Sequence, residues 1–260
     1  MKRAWMLGWM VALVIGISGA ANAALTVIGT AHYQGNDYKM IYLDDGPSGP
    51  ITWLDYTRND DTWQNQLDWA SRLGAELTVT LDPDYTSTID WSTGWRLPEV
   101  DESQANIQGP WPNDPNIGRG DGHGWGGPDE SGYHDYRYGY NMVNSEMGYL
   151  YYEALGNKGF LDTDGSYLPN YGLQITGDFD SLQAWYYWSG TEYSPNPGCA
   201  WFFDPRNGNQ NGTGKPSLHH ALAVRPGDVS AVPIPGTVFL LASGLAGIGA
   251  LGNRVRRRRR

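Results

Sequence analysis

The chain has 260 residues and carries 18 Lys+Arg against 28 Asp+Glu, a formal net charge of −10. An acidic chain repels phosphate backbones and other polyanions over long range, which excludes nucleic acid as a partner. A single cysteine, Cys199, excludes an internal disulfide, and 35 Gly with 16 Pro argue for turns and long loops over a helical bundle.

In chain order, Lys2 and Arg3 precede an apolar stretch over residues 6–17 and then Ala21-Asn22-Ala23. A charged start, a greasy middle and a small-residue end form the layout of a secretory signal peptide, residues 1–23. Ala21, Ala23 and Ala24 are the cleavage-site residues, with cleavage after Ala23. Residues 25–33 and 38–43 alternate as two strands around Gln34-Gly35-Asn36-Asp37, and residues 51–57 alternate as a third. Asp60 or Asp61 is placed to cap a helix in which Trp63, Leu67, Ala70 and Leu73 recur at helical spacing and which Gly74 closes. Residues 99–107 allow one or two helical turns, and residues 145–155 read as a second amphipathic helix stopped by Gly156. Strands are expected over 189–194 and 200–204, around Pro195-Asn196-Pro197-Gly198, and over 219–225. Val229 to Val232 reads as a linker.

The stretch 109–139, rich in Gly, Pro and Asp, is too long for an ordinary connection. Trp111, Trp125, Tyr133, Tyr136 and Tyr138 stand in or beside it, with Tyr140, among carboxylates. Aromatic faces beside hydrogen-bond acceptors suit sugar rings, so these are the candidate ligand-binding residues; pinning down a polar loop is the competing role. Twelve Trp and 17 Tyr against five Phe imply that many rings keep a polar edge near water.

Metal candidates are few. His123 and His134 share the loop with Asp121, Asp129 and Asp135, without a zinc spacing. Asp162-Thr163-Asp164-Gly165 offers alternating oxygen ligands and a turn glycine, which makes Asp162 and Asp164 a calcium candidate that lacks the later glutamate of an EF-hand. His219 and His220 are adjacent on an expected strand and point to opposite faces, so they do not chelate together. Arg119-Gly120-Asp121 spells an integrin-type tripeptide that chance accounts for. Glycoside hydrolysis needs two acids ~5–10 Å apart; 28 acids leave the pair unspecified, and no Ser/His/Asp order stands out, so the chain is read as a non-enzyme without a required cofactor.

The end of the chain reads Val232, Pro233, Ile234, Pro235, then an uncharged run over 237–252, Arg254, and Arg256, Arg257, Arg258, Arg259 and Arg260. As a helix at ~1.5 Å per residue the uncharged run spans about 24 Å, and from Val232 onward the stretch crosses a bilayer core. The arginines belong on the cytoplasmic side. This pattern resembles the PEP-CTERM sorting signal of Gram-negative bacteria, with Ile234 where that signal usually has glutamate. The resemblance implies transient anchoring in the inner membrane, cleavage by an exosortase-type enzyme, and release to the cell surface or extracellular matrix. Without the two basic residues of the signal peptide and the six of the tail, 10 basic residues face 28 acidic ones, a net −18. Such a body suits neutral sugars or cations.

Four blocks stand in order in the body: Thr62-Trp63-Gln64 with Asp68-Trp69-Ala70, then Trp95-Arg96-Leu97-Pro98, then Tyr187-Trp188-Ser189-Gly190-Thr191-Glu192, then Ala223-Val224-Arg225-Pro226. Their order and spacing are similar to the Lcl C-terminal domain family of bacterial surface proteins, over residues 24–228. The resemblance implies extracellular glycan binding or adhesion. The second and fourth blocks also resemble the C-type-lectin and formylglycine-generating fold, whose oxidase chemistry needs two reactive cysteines. Within the blocks, Trp95, Arg96, Trp188, Glu192 and Arg225 are structural candidates. Arginine presents a planar fork to carboxylates, and the favoured reading is a buried pair of Glu192 with Arg96 or Arg225.

The expected fold is α+β, with small antiparallel sheets, two short amphipathic helices and long Gly/Pro-rich loops. The expected function is binding of extracellular polysaccharide, adhesion or biofilm formation after export. The alternatives are a secreted hydrolase acting on polysaccharide and a self-associating matrix component.

Overall fold

A computed structural model describes residues 25–104, 138–163, 166–194 and 196–232. The first strands form as the alternation predicts. β1 (Leu25–Tyr33) and β2 (Asn36–Leu43) pair antiparallel, with Tyr33 opposite Asn36. The turn is shorter than the four residues expected. Gln34 and Gly35 have φ of 49° and 83°, the two positive values of a two-residue hairpin turn, so Asn36 and Asp37 join the strand.

β3 (Ile51–Asp61) continues four residues beyond the expected 51–57. Its polar end gives no alternation signal, yet its backbone groups find partners along β10 (His219–Pro226), where Ala221 faces Arg58 and His219 faces Asp61. α1 (Trp63–Glu76) begins at an N-cap position held by Thr62, which makes no side-chain cap hydrogen bond. The expected cap, Asp61, instead accepts from the Thr62 N–H and the Asn65 amide.

Gly74 lies inside α1 rather than closing it. A Cβ there would sit 2.0 Å from the Ser92 carbonyl oxygen, so the absence of a side chain lets residues 91–93 pass against the helix. Gly74→Ala is expected to destabilise the protein by about 1–3 kcal/mol, read as a lower urea midpoint at unchanged slope. A gain in stability, the usual helix-propensity result, would rule out this close approach.

Several strands are not among those expected from the sequence. These are β4 (Thr78–Leu81), β5 (Tyr85–Ser87), the short β6 (Tyr138–Gly139), β9 (Asn209–Gly214) and β11 (Val229–Ala231). The last three residues were expected as linker; they pair antiparallel with β5, and Val229 is buried. β7 (Tyr187–Glu192) and β8 (Cys199–Asp204) stand within two residues of expectation. The second helix is α2 (Glu146–Tyr149), which runs on as a π-helical turn, Leu150–Ala154. Of the expected turns after residue 99, a single 3-10 turn, Glu102–Gln104, lies among the described residues.

The architecture is α+β, but the sheet is larger than expected. Nine strands follow the order β4-β1-β2-β3-β10-β7-β8-β9-β6, beside the two-stranded β11-β5. The nine strands form two antiparallel blocks that meet through one parallel bridge, His220 to Tyr187. Where β10 and β7 diverge, residues 95–98 fill the gap. Arg96 and Val224 exchange both backbone hydrogen bonds, at 3.0 and 2.8 Å, and the Gly190 N–H donates to the Pro98 carbonyl at 2.8 Å.

Both faces of this sheet are covered. Met40, Leu54, Ala221, Ala223 and Trp188 face α1. Ile41, Trp53, Leu222, Val224 and Tyr187 face α2 and the loop carrying Phe179 and Leu182. Neighbouring residues on one strand thus enter opposite layers, which is why β10 reads as a nearly continuous apolar run.

Candidate functional site

The four sequence blocks converge in space. The Trp63 indole donates to the Ser189 carbonyl at 2.8 Å, and the Trp188 indole to the Asp61 carbonyl at 3.0 Å. Gln66 donates to the His219 carbonyl, and Arg96 bridges to Val224. Trp95 and Trp188 are buried at this junction. The blocks tie the two halves of the sheet together and leave little of themselves to solvent.

The ion pair expected at Glu192 lies elsewhere. Arg96 grips Glu146 bidentately, both N–O distances being 2.7 Å, and Glu146 also accepts from the Glu99 N–H. Burial opposes the Arg96 charge, but the Glu146 hydrogen bonds and charge outweigh it and raise its basicity. Glu192 follows an irregularity in β7, is half-exposed, and pairs with Lys215. Arg225 donates to the carbonyls of Pro226 and Asp90. The true partner stands 50 residues from Arg96 on another element, and separation in sequence carries no signal for such a pair. At Cys199, burial pushes the thiol up against the opposing charge of Lys215, which disfavours thiolate chemistry.

A different group of side chains presents a surface suited to a ligand. Trp185 is 41% exposed, and its indole N–H donates to Asp60 at 3.1 Å. His220 Nδ1 lies 2.8 Å from the same Asp60 oxygen. The Arg206 guanidinium stands 4.0 Å over the Tyr186 ring and 5.6 Å from that of Trp185. Asp204 holds it in place at 2.8 and 2.9 Å, and these hydrogen bonds raise the arginine's basicity further.

Trp185 and Tyr186 thus form an aromatic ledge, which rests on the buried His219 and Trp188. His219 is flanked by Trp188 at 4.4 Å, Tyr186 at 5.0 Å and Phe202 at 5.2 Å. Burial pushes the His219 pKa down. Its Nδ1 lies 2.6 Å from the Leu218 carbonyl while Nε2 has no partner, so the neutral ring with its proton on Nδ1 is the form that fits. The loop leading to Trp185 is fastened by Asp55, a buried carboxylate that accepts from the Asp180 and Ser181 N–H groups and the Ser181 hydroxyl. Ring faces are therefore fixed beside an acceptor, Asp60, and a donor, Arg206, with each charge facing an opposite or neutral partner. Such an arrangement is chemically able to pack against apolar C–H faces and to hydrogen-bond hydroxyls.

Trp111, Trp125, Tyr133 and Tyr136 lie outside the described residues, as do His123, His134 and Asp164, the signal peptide, and Pro233 onward. The backbone of Tyr138 is in β6. Asp162 accepts from the Thr163 N–H, and among the described residues no group of three or more His, Cys, Asp or Glu is placed to hold a metal. None of the described helices is long and apolar enough to cross a membrane. A polar cleft of about 410 Å³ opens between Pro47, Ser48, Glu99, Val100, Asp101 and Asn144, none of them a ledge residue.

Sequence reasoning missed Trp185, Tyr186 and Arg206. One signal was present: residues 185–188 are four consecutive aromatics, Trp-Tyr-Tyr-Trp, more than a single turn into a strand can bury. Compared with known proteins, the chain matches no family model, no characterised protein and no solved structure.

Proposed function

We propose that the chain is an exported bacterial protein, sorted by an exosortase-type system to the cell surface or extracellular matrix, where it binds neutral polysaccharide without catalysis. The observation that carries this reading is the Trp185–Tyr186 ledge, an exposed indole beside a half-buried tyrosine ring, set among Asp60, His220 and Arg206. The net charge of −18 between the two terminal segments supports a neutral ligand over a polyanion. A partly exposed indole whose N–H is satisfied contributes contact area without a desolvated polar group.

Retention of the full chain on immobilised neutral polysaccharides tests the reading. Trp185→Ala should weaken retention roughly tenfold or more, the scale of a truncated contact tryptophan, while circular dichroism stays that of the parent. Wild-type affinity in the variant would remove the ledge from the function. The sorting part has its own test. Replacing Pro233 and Pro235 with alanine should leave uncleaved protein in the inner membrane, read by fractionation and mass; normal release would sink it.

A further inference from the structure

We infer that the ledge is one end of a longer aromatic strip, and that the site takes an extended neutral polysaccharide chain lying across several sugar units. This rests on the polysaccharide reading above and adds the shape of the ligand to it.

The turn between β8 and β9, residues 205–208, joins two ring clusters. On one side the Arg206 side chain lies over Tyr186 and beside Trp185. On the other, the Phe160 N–H donates to the Asn207 carbonyl at 2.7 Å, and Gly172 packs so closely that a Cβ there would stand 2.8 Å from the Arg206 carbonyl. Phe160 holds Tyr167 and Tyr171 edge-on, at 4.8 and 5.0 Å. Those two tyrosines are 63% and 42% exposed. Arg206 therefore meets one cluster through its side chain and the other through its backbone.

The turn itself is anchored. The Tyr152 hydroxyl donates to the Gly208 carbonyl at 2.8 Å, and Asp204 fixes the arginine. The strip is thus a set of rings on a rigid base, which reduces the ordering cost of binding. Contiguous exposed apolar surface with a polar rim marks an interaction site. Its occupant follows from the charges. At the ledge, among the described residues, Arg206 is paired with Asp204 and Asp60 faces His220, so the charges there are matched, and an anionic polymer meets an acidic body. A hydroxyl-rich neutral chain finds ring faces for its C–H surfaces and Asp60 and Arg206 for its hydroxyls. Trp185 meets the turn through the Arg206 side chain and Tyr171 through the Phe160 cluster on its backbone, so the two belong to separate ring groups, each able to take its own sugar unit.

The test measures affinity of the full chain, by calorimetry, for oligosaccharides cut from a neutral polysaccharide that it retains, from disaccharide to hexasaccharide. Affinity should rise about tenfold or more along the series as the second cluster engages. The double variant Tyr167→Ala/Tyr171→Ala should lose that rise and keep disaccharide affinity, whereas Trp185→Ala should weaken every length. A plateau at the disaccharide with ledge-dependent binding overturns the strip and leaves the ledge standing. Retention of no neutral polysaccharide overturns both. A double variant that loses self-association while keeping the length dependence assigns the tyrosines to a contact between copies and also overturns the strip.

Discussion

Glu146→Ala is expected to lower the stability of the fold by about 3–5 kcal/mol, the cost of leaving a buried charge without its partner. Glu146 has a side-chain exposure of 1%, and both its oxygens take hydrogen bonds from Arg96. The substitution strands the Arg96 guanidinium, three-quarters covered, and the Glu99 N–H at the same time. Glu99 stands 3.4 Å from Arg96 Nε but is itself half-exposed, and so compensates weakly. The damage should spread along residues 95–98, because Arg96 also carries the backbone bridge to Val224 that closes the gap between β10 and β7. Urea denaturation measures the loss. Replacing Arg96 with methionine in the Glu146→Ala background should recover part of it, since an apolar side chain leaves no charge to desolvate. A loss below about 1 kcal/mol for Glu146→Ala would place the pair among ordinary surface ion pairs and refute its role at the junction.

Trp188→Ala is expected to cost about 3–5 kcal/mol, in the range for a large aromatic removed from a packed core. The ring is fully buried, packs on His219 at 4.4 Å, and donates its indole N–H to Asp61 at the end of β3. Truncation opens a cavity and leaves that carbonyl without its donor. A second consequence is functional. His219 and Tyr186 rest on the same stack, so the ledge should lose its fixed ring orientation and polysaccharide retention should fall with stability. Trp188→Phe keeps most of the volume and loses the hydrogen bond, so it should be much milder. Equal losses from the two variants would assign the effect to the indole N–H instead of to packing.

The residues that were legible in advance share a physical property: their signal is local. Period-two alternation in β1 and β2 and the recurrence of Trp63, Ala70 and Leu73 in α1 reflect which face of an element is buried, and that depends on spacing along the chain. Trp188, expected from the sequence as a structural residue of the Tyr187–Glu192 block, is fully buried. The misses share the opposite property. β9, Asn-Gln-Asn-Gly-Thr-Gly, has no strand propensity, yet it forms because β8 and β6 offer their ladders on either side and Gly212 lets the Tyr193 ring lie against the backbone. Val229–Ala231 became a strand because β5 presented an edge.

The sequence by itself determined the acidic balance, the single thiol, the faces of the first strands and of α1, and the two terminal segments on which the export and sorting proposals stand. Only the tertiary structure decided that Arg96 belongs to Glu146 and Glu192 to Lys215, that nine strands join into one order, and that Trp185 stays open to solvent beside Asp60 and Arg206. Charge pairing and ring exposure depend on which distant elements pack together, and local periodicity does not encode that.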